Sequence, residues 1–274
     1  MKKLLIPLYK IVGSRERKNK EIMSKKTAFV VLGFQRSGTS LICDMLNRAG
    51  VSFGAPNDLM APDSRNPNGF FEHKKIFSLS RKFLRQSNIF LDFNYSKDSQ
   101  LKAFGVCNRI SRFFTRISLM KNLSKVSKKE ESFGIKSFPI FWYFLKPYIG
   151  ERVVFAIYRD PFSVMASFDS AWFGRFYASQ ILNFWTIAHQ DMIFHLSGEK
   201  NAILISYEDL LDTEKRKNIV KKMSEMSGLD SSKLESVFDD KLNRSGGRAS
   251  RLKEAYPLPE ETKKVLESLE KMKI

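Results

Sequence analysis

A chain of 274 residues, 43% of them apolar and 24 of them phenylalanine, is long enough to bury its own core, and two cysteines, Cys43 and Cys107, are too few for a disulfide-held scaffold. No apolar run nears the roughly 20 residues that cross a bilayer, and the opening apolar stretch is broken by Pro7, so a soluble cytoplasmic protein with free thiols is expected. The formal charge of +18 calls for an anionic partner.

Residues 1–26 carry nine basic and two acidic side chains and read as a basic N-terminal arm. Residues 27–274 read as one domain. It opens on TAFVVLG, Thr27 to Gly33, a continuous apolar run rich in β-branched residues that suits a strand buried on both faces of a parallel sheet. FQRSG follows, and then TSLICDMLNRAG, where Leu41, Met45, Leu46 and Ala49 recur at helical spacing up to Gly50. This is strand, loop, helix, with Cys43 on the helix as a buried thiol.

From Val51 to Glu131 strand signals are scarce. A Pro/Asn/Gly-rich loop leads into helical stretches such as KIFSLSRKFL and RISRFFTRISLM, so 51–131 is expected to form a mainly helical lid or acceptor region over the ends of the strands. Nine basic against two acidic residues fall in 97–130. The excess charge of this segment and of the arm is expected to face an acidic acceptor, an anionic membrane surface, nucleic acid or simply solvent.

Three more strands are predicted: SFGIK ending at Lys136, RVVFAIY ending at Tyr158 and AILISY ending at Tyr207. Between the last two, SQILNFWTIAHQDMIFHL places Ile181, Trp185, Ala188, Met192 and Leu196 on one helical face. Strands alternating with helices imply a three-layer α/β/α sandwich around a central parallel sheet.

The loop GFQRSGTS, Gly33 to Ser40, has the G-x4-G spacing of a phosphate-binding turn, but Thr39 stands where a nucleotide triphosphatase carries lysine. Backbone N–H groups and a helix N-terminus bind phosphate whatever nucleotide bears it. Here the positive charge has moved to Arg36, and Ser37, Thr39 and Ser40 offer hydroxyls. A nucleotide kinase or triphosphatase would need the absent lysine and Mg²⁺. A basic nucleic-acid-binding protein suits the charge, but no zinc spacing, RNA-recognition signature or recognition-helix pattern accompanies it.

GFQRSGTSL resembles the 5′-phosphosulfate loop of sulfotransferases that use 3′-phosphoadenosine 5′-phosphosulfate (PAPS), whose form is P-[KR]-S-G-T-[ST]. The resemblance implies that Arg36, Ser37, Gly38, Thr39 and Ser40 cradle the 5′-phosphate and sulfuryl group, that the desulfated nucleotide PAP is the product, and that no metal is needed. RVVFAIYRDPFSVMASF is similar to a second superfamily element, in which Arg159 and Ser167 would bind the donor's 3′-phosphate. An arginine fork after a buried strand and a helical serine suit that task. AILISYEDLL resembles a strand-YEDL element whose tyrosine lies near the adenine, a role open to Tyr207 alongside that of a core residue. LNRSGGR is similar to the loop that closes on the 3′-phosphate, with Arg244 as its cation.

Sulfuryl transfer asks for alignment and for positive charge at the leaving phosphate, and Arg36 and Lys136 are the expected cations. The acceptor base is less plainly written. Where one branch of the superfamily carries K-T-H-L-P, this chain has KSFP from Lys136 to Pro139 and lacks the histidine. NPNGFFEH, Asn66 to His73, resembles an N-P-x-G-[YF]-x-E element of bacterial members and implies Glu72 as the base, its proton affinity raised by Phe70 and Phe71; His73 and a plain helix-start role for Glu72 are the alternatives. The acceptor is expected to be a hydroxyl or amine, with a glycan or glycolipid suited to the aromatic residues Phe70, Phe71 and Phe77.

Overall fold

The structure, a computed structural model, describes residues 26–63, 66, 69–79, 118–126, 132–172, 178–238 and 246–274. Most of the basic arm, Cys107, Arg244 and the larger part of the basic 97–130 segment lie outside them.

Four parallel strands form the sheet in the order β2-β1-β3-β4. These are β1 (Thr27–Gly33), β2 (Ser132–Ser137), β3 (Arg152–Tyr158) and β4 (Ala202–Ser206). Every β1 side chain after Thr27 is buried, and the alternation of a strand sends neighbours to opposite faces. Ala28, Val30 and Leu32 of β1, with Val154, Ala156 and Tyr158 of β3, join one apolar core. Phe29 and Val31, with Val153, Phe155 and Ile157, join the other.

Helices cover both faces, as the alternating pattern requires. The first core is closed by α2 (Pro139–Leu145), α3 (Pro161–Trp172), α4 (Ala178–Ser197) and α9 (Glu260–Met272). The second is closed by α1 (Thr39–Arg48), α6 (Thr213–Ser227) and α7 (Ser231–Glu235). Two further helices are α5 (Tyr207–Leu211), directly after β4, and α8 (Gly246–Ala255). This is the expected three-layer α/β/α sandwich. All five residues placed on the inner face of α4 are buried, with Trp185 and Met192 at 0% exposure.

The elements also show where sequence patterning stopped short. Tyr207 was expected to end β4; the strand stops at Ser206, whose Oγ accepts the Asp209 N–H and caps α5, so Tyr207 is the first residue of a helix. Within the expected lid, 74–79 and 118–126 are helical. Directly after α1, Ser52 forms a parallel bridge to Phe133, and its carbonyl accepts the Gly134 N–H at 2.7 Å, so the chain leaving α1 lines the outer edge of β2. The Phe53 ring lies where a side chain at Gly134 would stand, 2.6 Å from the position of a Cβ. No helix among the described residues is long and apolar enough to cross a membrane.

Candidate active site

With strand order β2-β1-β3-β4, the chain leaves β1 toward β2 on one side and returns as β3 on the other. The connections leaving β1 and β3 therefore run to opposite sides of the sheet, and the crevice outside such a switch point is where open parallel sheets bind ligands. The residues singled out on the two motifs meet there. Arg36, in the loop after β1, donates through Nε to Ser167 Oγ on α3 at 2.8 Å. Arg159, the residue after β3, donates through Nη1 to the Arg36 carbonyl at 3.2 Å.

The loop between β1 and α1 is shaped for an anion. Gly38 sits at φ 93°, a left-handed conformation open to glycine, and it supplies no side-chain cap to α1. No acidic residue lies in the first turn of α1. Contrast α6 and α7, whose first N–H groups are accepted by Asp212 and Asp230. The N-terminus of α1 thus keeps its partial positive charge for something else. Beside it the Ser37 hydroxyl is fully buried with no hydrogen-bond partner among the described residues, a costly arrangement unless a ligand satisfies it. Arg36 also holds a positive φ, 65°. Such strain in a residue with a side chain collects at binding and catalytic sites.

A second cluster lies at the tip of β2. The Lys136 ammonium reaches Ser40 Oγ at 2.9 Å, the Phe70 carbonyl at 2.8 Å and Glu72 Oε1 at 3.1 Å. These three acceptors match the three N–H donors of an ammonium. Both partners of the ion pair are mostly buried, with side-chain exposures of 9% and 15%. Glu72 therefore faces a cation as well as the neighbouring phenylalanines. Phe71, between the two residues that Lys136 contacts, has φ 58°, and its ring packs edge-on against Phe53 at 5.5 Å.

His73 turns to a different setting. It is buried against Gly54, its backbone bridges Leu59, and burial lowers its proton affinity. Ser40 joins the two clusters, because its Oγ also accepts Asn66 Nδ2 at 2.9 Å, while that amide donates to the Gly69 carbonyl. Asn66 belongs to the NPNGFFEH segment, yet no role was read for it; an asparagine in a turn that can reach a distant hydroxyl leaves no local signal.

Behind the β3 tip, Trp185 Nε1 donates to the Arg159 carbonyl at 3.0 Å. His189 stacks on Trp185 with ring centres 4.0 Å apart and is fully buried. Its Nδ1 donates to the Trp185 carbonyl at 2.6 Å, and burial lowers its pKa to about 4. Glu208 accepts the Asp160 N–H at 3.1 Å, and burial raises its proton affinity. Sequence reasoning placed none of the three at the site: Trp185 read only as a core residue of α4, and a buried histidine or helix-start glutamate looks the same whether or not it braces a site. Among the described residues no group of three or more His, Cys, Asp and Glu side chains could hold a metal ion.

No protein-family model and no curated relative matches the sequence. Solved structures do match the fold. The sulfotransferase domain from the curacin biosynthetic pathway superposes with a TM-score of 0.54 at 15% identity, covering 89% of this chain and 98% of that one. The sulfotransferase domain of the Synechococcus olefin synthase gives 0.53 at 15% identity, over 89% and 94%. A sulfotransferase from Mycobacterium tuberculosis gives 0.53 at 13% identity, over 89% and 80%. The fold is that of the sulfotransferases: a parallel sheet between helical layers.

Proposed function

We propose that this protein is a sulfotransferase that takes the sulfuryl group from PAPS, releases PAP, and passes the group to a hydroxyl or amine of an acceptor. The reading rests chiefly on one observation: Arg36, Ser167 and Arg159 converge on the β1/β3 crevice, beside an uncapped α1 and the buried Ser37 hydroxyl. Two anion subsites side by side suit a donor phosphorylated at both 5′ and 3′ positions. The turn formed by Arg36, Ser37, Gly38, Thr39 and Ser40 would hold the 5′-phosphosulfate, and Arg159 with Ser167 the 3′-phosphate.

In the transfer step the acceptor oxygen or nitrogen forms a bond to sulfur, and the bond from sulfur to the 5′-phosphate oxygen breaks. That oxygen keeps the electron pair, and PAP leaves. Glu72 would take the acceptor's proton. Lys136, exchanging its Ser40 contact for the leaving oxygen, would offset the charge that develops there. The ion pair of Glu72 and Lys136, 3.1 Å apart, supports giving these two roles to neighbouring side chains. A glycan or glycolipid is the acceptor class we assign, since the aromatic residues Phe70, Phe71 and Phe77 cluster in sequence around Glu72 and suit a sugar ring or an apolar chain. Peripheral contact of the basic segments with anionic membrane belongs to the same reading.

Thermal unfolding with nucleotides in metal-free buffer tests the donor. PAP at about 100 times its Kd should stabilise the fold by about 2.7 kcal/mol, and adenosine 5′-phosphate at the same concentration by much less. Equal stabilisation by the two, or dependence on Mg²⁺, would overturn the assignment. Incubation with labelled PAPS and glycan or glycolipid pools then identifies the acceptor from the labelled product.

A further inference from the structure

Tyr207 also stands at the β1/β3 crevice, and its surroundings suit a task other than touching the nucleotide base. Only 6% of the residue is exposed, too little for a base to stack on. A Cβ built on Gly38 would lie 2.3 Å from Tyr207 Cδ2 and 2.8 Å from Cε2, so the ring edge fills the space left by the glycine. Over the ring sits the Arg159 guanidinium, its carbon 4.4 Å from the centroid. That guanidinium donates to the carbonyl of Arg36. One ring thus abuts the first phosphate loop and carries the cation of the second.

The geometry points to Tyr207 as a positioning residue that fixes the Arg159 guanidinium and thereby sets the preference for a nucleotide bearing a 3′-phosphate. The inference rests on the donor assignment above. An arginine side chain has many rotamers, and ordering it on binding opposes affinity. A ring beneath the guanidinium orders it before the ligand arrives. It also attracts the cation through its π face, an effect of about tenfold in an equilibrium constant at a desolvated site. Burial raises the proton affinity of the phenol, which keeps the ring neutral.

Titration calorimetry with PAP and with adenosine 5′-phosphate separates this role from others. The wild type should prefer PAP. Tyr207→Phe, which keeps the ring, should hold the ratio of the two affinities within about twofold. Tyr207→Leu, which keeps apolar contact with Gly38 but removes the π face, should weaken PAP about tenfold and adenosine 5′-phosphate less than twofold. An unchanged ratio in Tyr207→Leu overturns the inference, as do equal losses for both nucleotides, which would mark contact with the base or general damage to the fold.

Phenylalanine analogues with one, two and three ring fluorines at position 207 give a test in which shape is kept. PAP affinity should fall stepwise along the series while adenosine 5′-phosphate stays level, and a flat PAP series overturns the inference. A wild type that binds both nucleotides equally would overturn the donor assignment itself, and that failure is visible before any variant is made.

Discussion

Strand β3 begins with Arg152 and is followed directly by Arg159, and the two arginines lead opposite lives. At the start of the strand, Arg152 meets a carboxylate: Nε and Nη2 reach the two oxygens of Glu199 at 2.8 and 3.3 Å, Nη1 serves the carbonyls of Ile149 and Gly150, and Lys146 completes the cluster. Glu199 is buried, which works to raise its pKa, but its bonds to Arg152 and Lys146 hold it below the usual carboxylate range. Past the end of the strand, the contacts of Arg159 include a carbonyl and an aromatic face. One end of the sheet ties two cations to one carboxylate, while the other gathers Arg36, Arg159 and the Lys136–Glu72 pair, a buried hydroxyl and two non-glycine residues at positive φ. On the proposed function, the first end serves stability and the second ligand chemistry.

The largest expected effect belongs to the ligand end. Glu72→Gln should cut sulfuryl transfer about a thousandfold, with PAP binding and thermal stability retained, while His73→Asn should cost less than about threefold; steady-state turnover and calorimetry on the same samples decide it. Near-normal turnover in Glu72→Gln would break the division of labour between the two ends.

Acid stability probes both ends at once. His189 lies behind the Arg159 tip and His195 beside Lys146, and each is held near pKa 4, His189 by burial and His195 by burial with help from Lys146. The ordinary value is 6.5, so in this range the unfolded chain takes up protons that the native state refuses. Stability is complete above about pH 6.5 and declines as the pH falls toward 4. Each histidine should account for on the order of 3 kcal/mol over that range. Urea midpoints measured from pH 7 to 4 should fall less steeply in His189→Gln and in His195→Gln than in the wild type.

Next comes Lys136→Met, which should lower turnover about a hundredfold while PAP affinity stays within about threefold. Equal losses in both would make Lys136 a donor-binding residue. The smallest effects give the sharpest contrast. Arg159→Ala should weaken PAP by about 2 kcal/mol with little change in unfolding free energy, and Arg152→Ala should lose about 2 kcal/mol of stability with PAP binding intact. Urea unfolding and calorimetry on the pair would show either a crossed pattern or none.

The sandwich was legible in the sequence because its signals are local. TAFVVLG is apolar throughout, Gly38 announces a turn, and the inner face of α4 recurs at helical spacing. Even the start of α5 carried a sign in Ser206 and Asp209, a cap three residues apart, but the apolar run before them was read one residue too far.

Partnerships across the sheet were not legible. Arg36 and Ser167 are 131 positions apart, and Lys136 and Ser40 are 96 apart. Which strand lies beside which decides those contacts, and strand order is not written in any single segment. The positive φ of Arg36 and Phe71 was equally hidden. Neither residue favours that conformation, so only the surrounding structure imposes it.

Gly134 sits two residues before Lys136 on β2, where Phe53 lies flat against the strand in the room that a side chain would take. Phe53 in turn supports the Phe71 ring, and Phe71 stands between the carbonyl and the carboxylate that hold the lysine. A single methyl group added at 134 would therefore act as a shim. It would lift Phe53 off the strand and tilt the chain at 70–72, so the spacing between Glu72 and Lys136 is gauged by a residue that has no side chain.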